Sequence, residues 1–314
     1  MRQLGRRRCL SILAASTLGL ALPAEASSAL ATHRWSGDVL GAPAELLVRH
    51  DDPVRAAGLI EAAVAELRRL ERIFSLFDAE STLARLNRQG RLSTPPLELV
   101  DLLQQARAIH LATTGAFDPT IQPLWRLHAD AAAAGHLPTA EALEAARKAV
   151  GLKGVAVTYG EIAFSRSGMA LTLNGIAQGY ITDRIADLLR AGGLAHVLVD
   201  LGEIRALGER APGEPWRIGL ATGSGPAEEL VELRDGAIAT SAPFGTVLDA
   251  AGKIGHIIDP RLGQPSAGAW RRVSVLHPRA TIADGLSTAF VLLTEPEIEK
   301  ALETFPTARV RTAA

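Results

Sequence analysis

The chain has 314 residues, 47% of them hydrophobic and 21% charged, an ordinary globular composition long enough for a substantial core in one large or two modest domains. A formal net charge of −1 and an aromatic content of 4% argue against nucleic acid as a partner, because the chain offers neither a basic field nor base-stacking platforms.

Three arginines, Arg6-Arg7-Arg8, precede an apolar run from Cys9 to Leu22, and Ala24-Glu25-Ala26 supplies a small-x-small cleavage site. These are the three parts of an export signal. The arginine group fits the twin-arginine class, with a Sec route as the alternative, and the run is too short for a transmembrane anchor. The reading assigns residues 1–26 to a cleaved signal, residues 27–314 to a single domain, and the mature protein to the periplasm. Cys9 is the one cysteine, and it lies ahead of the apolar run, where a lipoprotein acceptor cysteine would follow it. The mature chain would then hold no thiol, disulfide or cysteine metal ligand, so any metal must sit on oxygen or imidazole.

Residues 40–49 start on a glycine turn and become strand-like. From Pro53 the period changes: Leu59, Ala63, Leu67, Leu70 and Phe74 share one face of an amphipathic helix whose solvated face carries Glu66, Arg68, Arg69, Glu71 and Arg72. Ser81 is a cap for a short helix ending near Asn87 and Gly90. Pro95-Pro96 open a second long helix to about Thr113, with Leu99, Leu102, Leu103, Ala106 and Ile109 inward. In residues 114–125, Pro119 and Pro123 forbid a regular helix, and Gly115 permits a close backbone approach. This stretch, with Phe117, Asp118, Thr120 and Trp125, reads equally as a structural turn or a ligand loop. Pro138-Thr139 then open a peripheral helix to about Val150.

Ile162 to Phe164 and Ala170 to Leu173 read as short strands. The turn at Asn174-Gly175 feeds a helix with Ile181, Ile185, Leu188 and Leu189 inward; such a turn presents backbone N–H groups to an anion, as do many ordinary helix starts. Strands follow at 196–201, 216–221, 228–233 and 237–240. The stretch Gly255-His256-Ile257-Ile258-Asp259-Pro260-Arg261-Leu262-Gly263-Gln264-Pro265 explains its Pro260 and Gly263 by turn chemistry. His256, Asp259 and Arg261 fit either a loop around an anionic ligand or a well-capped hairpin. After a strand at 273–276, a last core helix opens at Ala280. Asp284 and Thr288, four apart, share one face of it. An Asp near a helix start is ordinarily an electrostatic cap, and the pair can also present hard oxygens to Mg²⁺.

Taken together and in order, five of these stretches resemble the ApbE-like flavin transferases (FAD:protein FMN transferases). They are Phe74-Ser75-Leu76-Phe77 with Ser81, Leu86 and Asn87; Thr114-Gly115-Ala116-Phe117-Asp118-Pro119-Thr120; Asn174-Gly175-Ile176-Ala177-Gln178-Gly179-Tyr180 with Asp183; His256-Ile257-Ile258-Asp259-Pro260-Arg261 with Gly263; and Ala283-Asp284 with Ser287-Thr288-Ala289. The resemblance runs over residues 40–293. It implies one globular α+β unit of mixed sheets and flanking helices around an FAD cleft. It also implies Mg²⁺-dependent cleavage of FAD at its pyrophosphate, release of AMP, and attachment of FMN to a Thr or Ser hydroxyl of another protein. The export signal makes that acceptor a periplasmic domain of a membrane electron-transfer protein, a NosR-like one among the options.

By matching position, Asp284 and Thr288 correspond to metal ligands and the Gly175 carbonyl to a third; oxygen-only ligands take Mg²⁺ or Ca²⁺. Ala116, Phe117 and Asp118 match a segment that contacts FAD, and Ile258 a residue against the cofactor. Leu40 and Phe77 stand where the family usually has a Met and a Tyr lining the flavin. His256 matches a proton acceptor for the incoming hydroxyl. Thr172 and Gln178, at cofactor-binding positions, replace the usual Asp and Lys, which keeps the local charge balanced but exchanges a point charge for a neutral amide. Asp200-Leu201-Gly202-Glu203 replaces Asn-Leu-Gly-Gly. These departures suggest a divergent branch resembling the NosX-type accessory proteins. They leave open a periplasmic protein that binds or stores FAD, or hydrolyses it as a pyrophosphatase, without transfer to protein. No Gly-x-Gly-x-x-Gly follows a strand, against a flavodehydrogenase.

Overall fold

The computed structural model describes residues 30–222, 225–266 and 270–314; the export-signal reading falls on residues 1–26, outside them. A hairpin opens the fold: β1 (Ala31–Val39) and β2 (Ala42–His50) pair antiparallel from Ala31 opposite His50 to Val39 opposite Ala42. Leu40 and Gly41 make the two-residue turn with φ of 47° and 82°, both left-handed, as a strand-matched tight turn requires. α1 (Pro53–Phe74) follows, capped by Asp52, whose carboxylate accepts from the N–H groups of Val54 and Arg55. α2 (Thr82–Gln89) starts on Ser81 and ends at a left-handed Gly90. Then come β3 (Arg91–Ser93), α3 (Leu97–Ala112), a 3-10 turn at Pro119–Ile121, α4 (Gln122–Ala133), α5 (Ala140–Lys148), β4 (Val155–Val157) and β5 (Glu161–Phe164). The second half holds α6 (Ala177–Ala191), β6 (His196–Asp200), β7 (Ile204–Leu207), β8 (Trp216–Leu220), β9 (Glu229–Leu233), β10 (Gly236–Ser241), β11 (Ile258–Asp259), β12 (Gln264–Pro265), β13 (Arg272–His277), α7 (Ala280–Phe290), α8 (Glu295–Leu302) and β14 (Arg309–Ala313).

Seven strands form the main sheet in the order β1-β2-β6-β7-β10-β13-β14, each neighbouring pair antiparallel. One face carries α1, α6 and α7; the β8–β9 ribbon covers part of the other. The strand period of two explains how β6 serves both sides. Val197 and Val199 enter the large core under the helices, while Leu198 enters a smaller cluster with Ile204, Trp216, Ile218 and Val231. β3, β5 and β4 form a separate small sheet, and β11 pairs with β12. This is the α+β architecture of mixed sheets and flanking helices expected from the sequence.

Two local expectations need correction. Ala170 to Leu173 forms no strand. Its backbone is satisfied elsewhere: the Asn87 side chain donates to Leu171 O and accepts from Leu171 N, each at 2.8 Å, and Thr172 N donates to Pro119 O at 2.8 Å. Nor do the prolines of residues 114–125 exclude a helix throughout. α4 begins at Gln122 with Pro123 in its first turn, where the missing N–H would have had no helical partner.

Candidate functional site

A cavity of about 640 Å³ opens where these elements meet. Its walls come from the β1–β2 hairpin, the loop before α4, the turn into α6, the β6–β7 turn, the segment after β10, the loop around β11, and one face of α7. Of the residues singled out from the sequence, it collects Ala116, Phe117, Asp118, Thr172, Gly175, Gln178, His256, Ile258, Asp284 and Thr288. Leu40 and Phe77 are the exceptions, for neither lines it. Leu40 sits at the hairpin tip, its N–H on Glu71 Oε1 at 2.7 Å, and Phe77 is 75% exposed on the turn after α1.

Asp284 and Thr288 meet the turn into α6 across a close helix contact. Thr288 Oγ1 donates to Gly175 O at 3.4 Å, and Gly179 N donates to Asp284 Oδ2 at 3.0 Å. A Cβ at Gly175 would lie 2.9 Å from Thr288 Oγ1, and one at Gly179 2.4 Å from Ala280 O. Both glycines are therefore spacing devices rather than sources of backbone freedom. Burial pushes the Asp284 carboxyl up to about 7, the Gly179 N–H opposing and the nearby Asp183 charge adding to the rise. A cation at this carboxylate would reverse that effect.

The donor set suits a hard cation. It offers one carboxylate, one hydroxyl and one carbonyl, with no sulfur. Among the described residues no group of three or more His, Cys, Asp or Glu is placed to hold a metal. Mg²⁺ fits such a partial set, because it keeps several ligands from water or substrate phosphates. Ser241, whose Oγ lies 2.9 Å from Ser287 Oγ and 3.5 Å from Thr288 Oγ1, adds a further oxygen to the same wall.

The loop of residues 255–265 divides its labour. His256, Ile258 and Pro260 line the cavity. Asp259 accepts from Arg261 N, Nε and Nη2, and Arg261 Nη2 donates to Leu292 O at 3.0 Å, so this pair builds the turn and ties it to the end of α7. His128, buried in α4, holds Gly263 O through Nε2 at 2.9 Å. His256 Nδ1 lies 3.0 Å from Thr246 O. A carbonyl only accepts, so Nδ1 carries the proton and the neutral ring keeps its basic lone pair on Nε2.

Asp118 divides its oxygens in the same way. Oδ1 accepts from Thr120 N and Oγ1, and Oδ2 accepts from Leu152 N, so it shapes the loop whose apolar members, Ala116 and Phe117, face the cavity. Gln178 spends its amide on Leu201 O at 3.2 Å and packs against the bare Cα of Gly202. Thr172 Oγ1 accepts from Asn174 N at 3.3 Å, organising the turn.

Sequence reasoning missed the opposite wall. Arg34 and Glu45, ion-paired across the β1–β2 hairpin, line the cavity together with Asp200 and Thr240 from strands and Glu203 from the β6–β7 turn. Asp200-Leu201-Gly202-Glu203 stood out only as an altered motif. The signal that could have found it was the placement of two carboxylates at a tight turn after a buried strand. Burial pushes the Asp200 carboxyl up to about 6, opposed by the Gly202 N–H.

The ApbE family model matches residues 40–311. The chain belongs to the ApbE family. It is 33% identical over 300 residues to the FAD:protein FMN transferase of Treponema pallidum, covering 83% of this chain and 82% of that one. It is 31% identical over 231 residues to the enzyme of the same name from Vibrio cholerae, covering 70% and 69%. The crystal structure of the ApbE protein from Thermotoga maritima superposes with a TM-score of 0.79 at 26% identity, covering 90% of this chain and 94% of that chain. Within this ApbE chain, the family-like stretches fall into two kinds. The Gly175, Gln178, Asp284 and Thr288 positions face the cavity. The stretch from Phe74 to Asn87 builds scaffold instead: Ser75 Oγ accepts from the N–H groups of Phe77 and Asp78, and Ser81 caps α2.

Proposed function

We propose that this ApbE-family chain is an exported, Mg²⁺-dependent FMN transferase. It would bind FAD, break the pyrophosphate, and join FMN to a Thr or Ser hydroxyl of a periplasmic domain of an electron-transfer protein. The observation that carries the reading is the convergence of the Asp284 carboxylate, the Thr288 hydroxyl and the Gly175 carbonyl on one wall of a cavity of about 640 Å³. That volume is typical of small-molecule sites. The naming of the curated relatives as FAD:protein FMN transferases supports the activity, and the composition of residues 6–26 supports export.

Mg²⁺ bound at the three oxygens supplies charge neutralisation on the pyrophosphate. The protein's own residues do the rest. Phe117, Ile258 and Trp125 give the cavity apolar surface suited to a flat ring system and to excluding water. His256 takes the hydroxyl proton at Nε2, the tautomer being fixed through Nδ1. The acceptor Oγ–P bond forms as the bond from that phosphorus to the bridging oxygen breaks, and AMP leaves with that oxygen.

The test is to incubate the mature chain with FAD, Mg²⁺ and a panel of Thr- and Ser-bearing periplasmic domains. Mass spectrometry then seeks covalent FMN, and chromatography seeks AMP. Transfer that stops on adding EDTA is the expected result. AMP and FMN released equally with and without acceptor would replace transfer by FAD hydrolysis, and tight FAD binding without cleavage would leave a flavin-storage protein.

A further inference from the structure

We propose that Asp183 is a positioning residue that sets the axial register of α7 and thereby the spacing of the metal-facing oxygens; the proposal rests on the Mg²⁺ reading of Asp284, Thr288 and Gly175. α7 opens at Ala280 with Arg279 as its N-cap and no side-chain cap, so its first N–H groups need partners from elsewhere. Asp183 supplies them from the neighbouring helix α6. Its Oδ1 accepts from Ala280 N at 2.9 Å, and its Oδ2 accepts from Thr281 N at 2.9 Å and Thr281 Oγ1 at 2.6 Å. The side chain is fully buried. Arg205 Nη1 at 2.9 Å and Arg279 Nε at 3.2 Å offset its charge.

This cap is the last rung of a ladder. Gly175, Gly179 and Asp183 follow one another at four-residue spacing, and Thr288, Asp284 and Ala280 descend the facing helix at the same spacing. Thr288 meets Gly175, Asp284 meets Gly179, and Ala280 meets Asp183. Along α7 each rung lies about 6 Å from the next. Sheet packing under β10 and β13 holds α7 in the core, but apolar packing resists sliding along the axis only weakly compared with hydrogen bonds of fixed geometry. Without the Asp183 rung, the carboxylate of Asp284 is referred to α6 through one N–H. Metal sites need their ligands fixed to within about half an ångström, and the three cavity oxygens belong to two segments that this ladder brings into register.

Asp187 provides the contrast. It pairs with the same arginines, Arg205 at 2.9 Å and Arg279 at 2.7 Å, but the bonds to the α7 N–H groups are made by Asp183. Loss of Asp187 therefore disturbs the ionic cluster without removing the rung.

The experiment uses the mature protein and its Asp183→Asn, Thr281→Val and Asp187→Asn variants. With FAD saturating, Mg²⁺ is titrated and the midpoint of the thermal-stability response is read; FAD affinity is measured separately in EDTA by flavin fluorescence. Asp183→Asn is expected to raise the Mg²⁺ midpoint by about tenfold or more, the size typical when a group that orients metal ligands is lost. Thr281→Val, which removes one donor and keeps the backbone bonds, should raise it roughly threefold. Asp187→Asn should change it by less than about twofold. FAD affinity in EDTA should stay within about twofold throughout, because Asp183 lies outside the cavity lining. If Asp183→Asn does not fold, Thr281→Val decides. A wild-type midpoint in Asp183→Asn, or equal shifts in the Asp183 and Asp187 variants, overturns the positioning role alone. Absence of any Mg²⁺ response in the wild-type protein overturns the metal reading and this proposal with it.

Discussion

A glycine's missing side chain is the most testable feature of the site. An alanine at position 175 would bring its Cβ to 2.9 Å from Thr288 Oγ1 and 3.0 Å from Cγ2. Thr288 is β-branched and stiff, so the helix must give way. Gly175→Ala should cost about 1–3 kcal/mol in overpacking and weaken Mg²⁺ binding, as a Mg²⁺ titration of thermal stability would show. Gly58→Ala, in α1 with open space around the new Cβ, should instead stabilise by about 0.5–1 kcal/mol. His256→Ala should lower the transfer rate by about 10²–10⁴-fold, the usual share of a positioned base, with FAD affinity kept; single-turnover AMP release separates the two. Asp200 makes a pH prediction. Burial holds its carboxyl near 6 against an ordinary 3.8, so the folded state binds this proton more tightly than the unfolded chain. Its contribution to stability is full below pH 3.8 and is lost as pH rises through 6. Asp200→Asn should match wild type at the acid end and exceed it above pH 6, by at most about 3 kcal/mol, in melting curves recorded across that range.

At the scale of elements, legibility followed the range of the interaction. Ser81, Gly90, Thr139 and the four-residue pairing of Asp284 with Thr288 are local signals, and the helices they mark are present. The segment of residues 170–173 has strand-like composition, but its partners are the Asn87 side chain and the Pro119 carbonyl, both distant in sequence, which no local pattern encodes. The β1–β2 hairpin is local, but β2 pairs with β6, far along the chain, with Glu45 opposite Asp200, so the wall carrying Arg34, Glu45, Asp200 and Glu203 could not be assembled from spacing. Leu40 and Phe77 show the converse: a matching motif position does not carry a side chain's direction with it. Asn87 is where this scale can be tested. Its amide stands in for a strand, holding both backbone groups of fully buried Leu171. Asn87→Ala leaves a buried N–H and C=O without that partner, at a cost of about 2–4 kcal/mol. A urea titration should show a lower midpoint with an unchanged slope.

For the whole molecule, the cavity is a joint product of the chain: its lining runs from Arg34 to Leu292, across hairpin, sheet, loops and the α6–α7 pair. A ligand that fills it therefore bridges parts of the fold that lie far apart in sequence. No intramolecular disulfide can reinforce them, since the chain has one cysteine. Ligand binding should accordingly appear as a change in global stability. A ligand at a hundred times its Kd adds about 2.7 kcal/mol, which for a domain of this size raises Tm by roughly 4–5 °C. Saturating FAD should give one increment, and Mg²⁺ a second that EDTA reverses. Asp284→Ala separates them, because it removes the one carboxylate of the cation set while leaving Ala116, Phe117 and Ile258 in the wall. The variant should keep most of the FAD increment and lose the Mg²⁺ increment. Loss of both would mean that Asp284 holds the cavity open rather than holding a cation, and the assignment of the three oxygens would have to be abandoned.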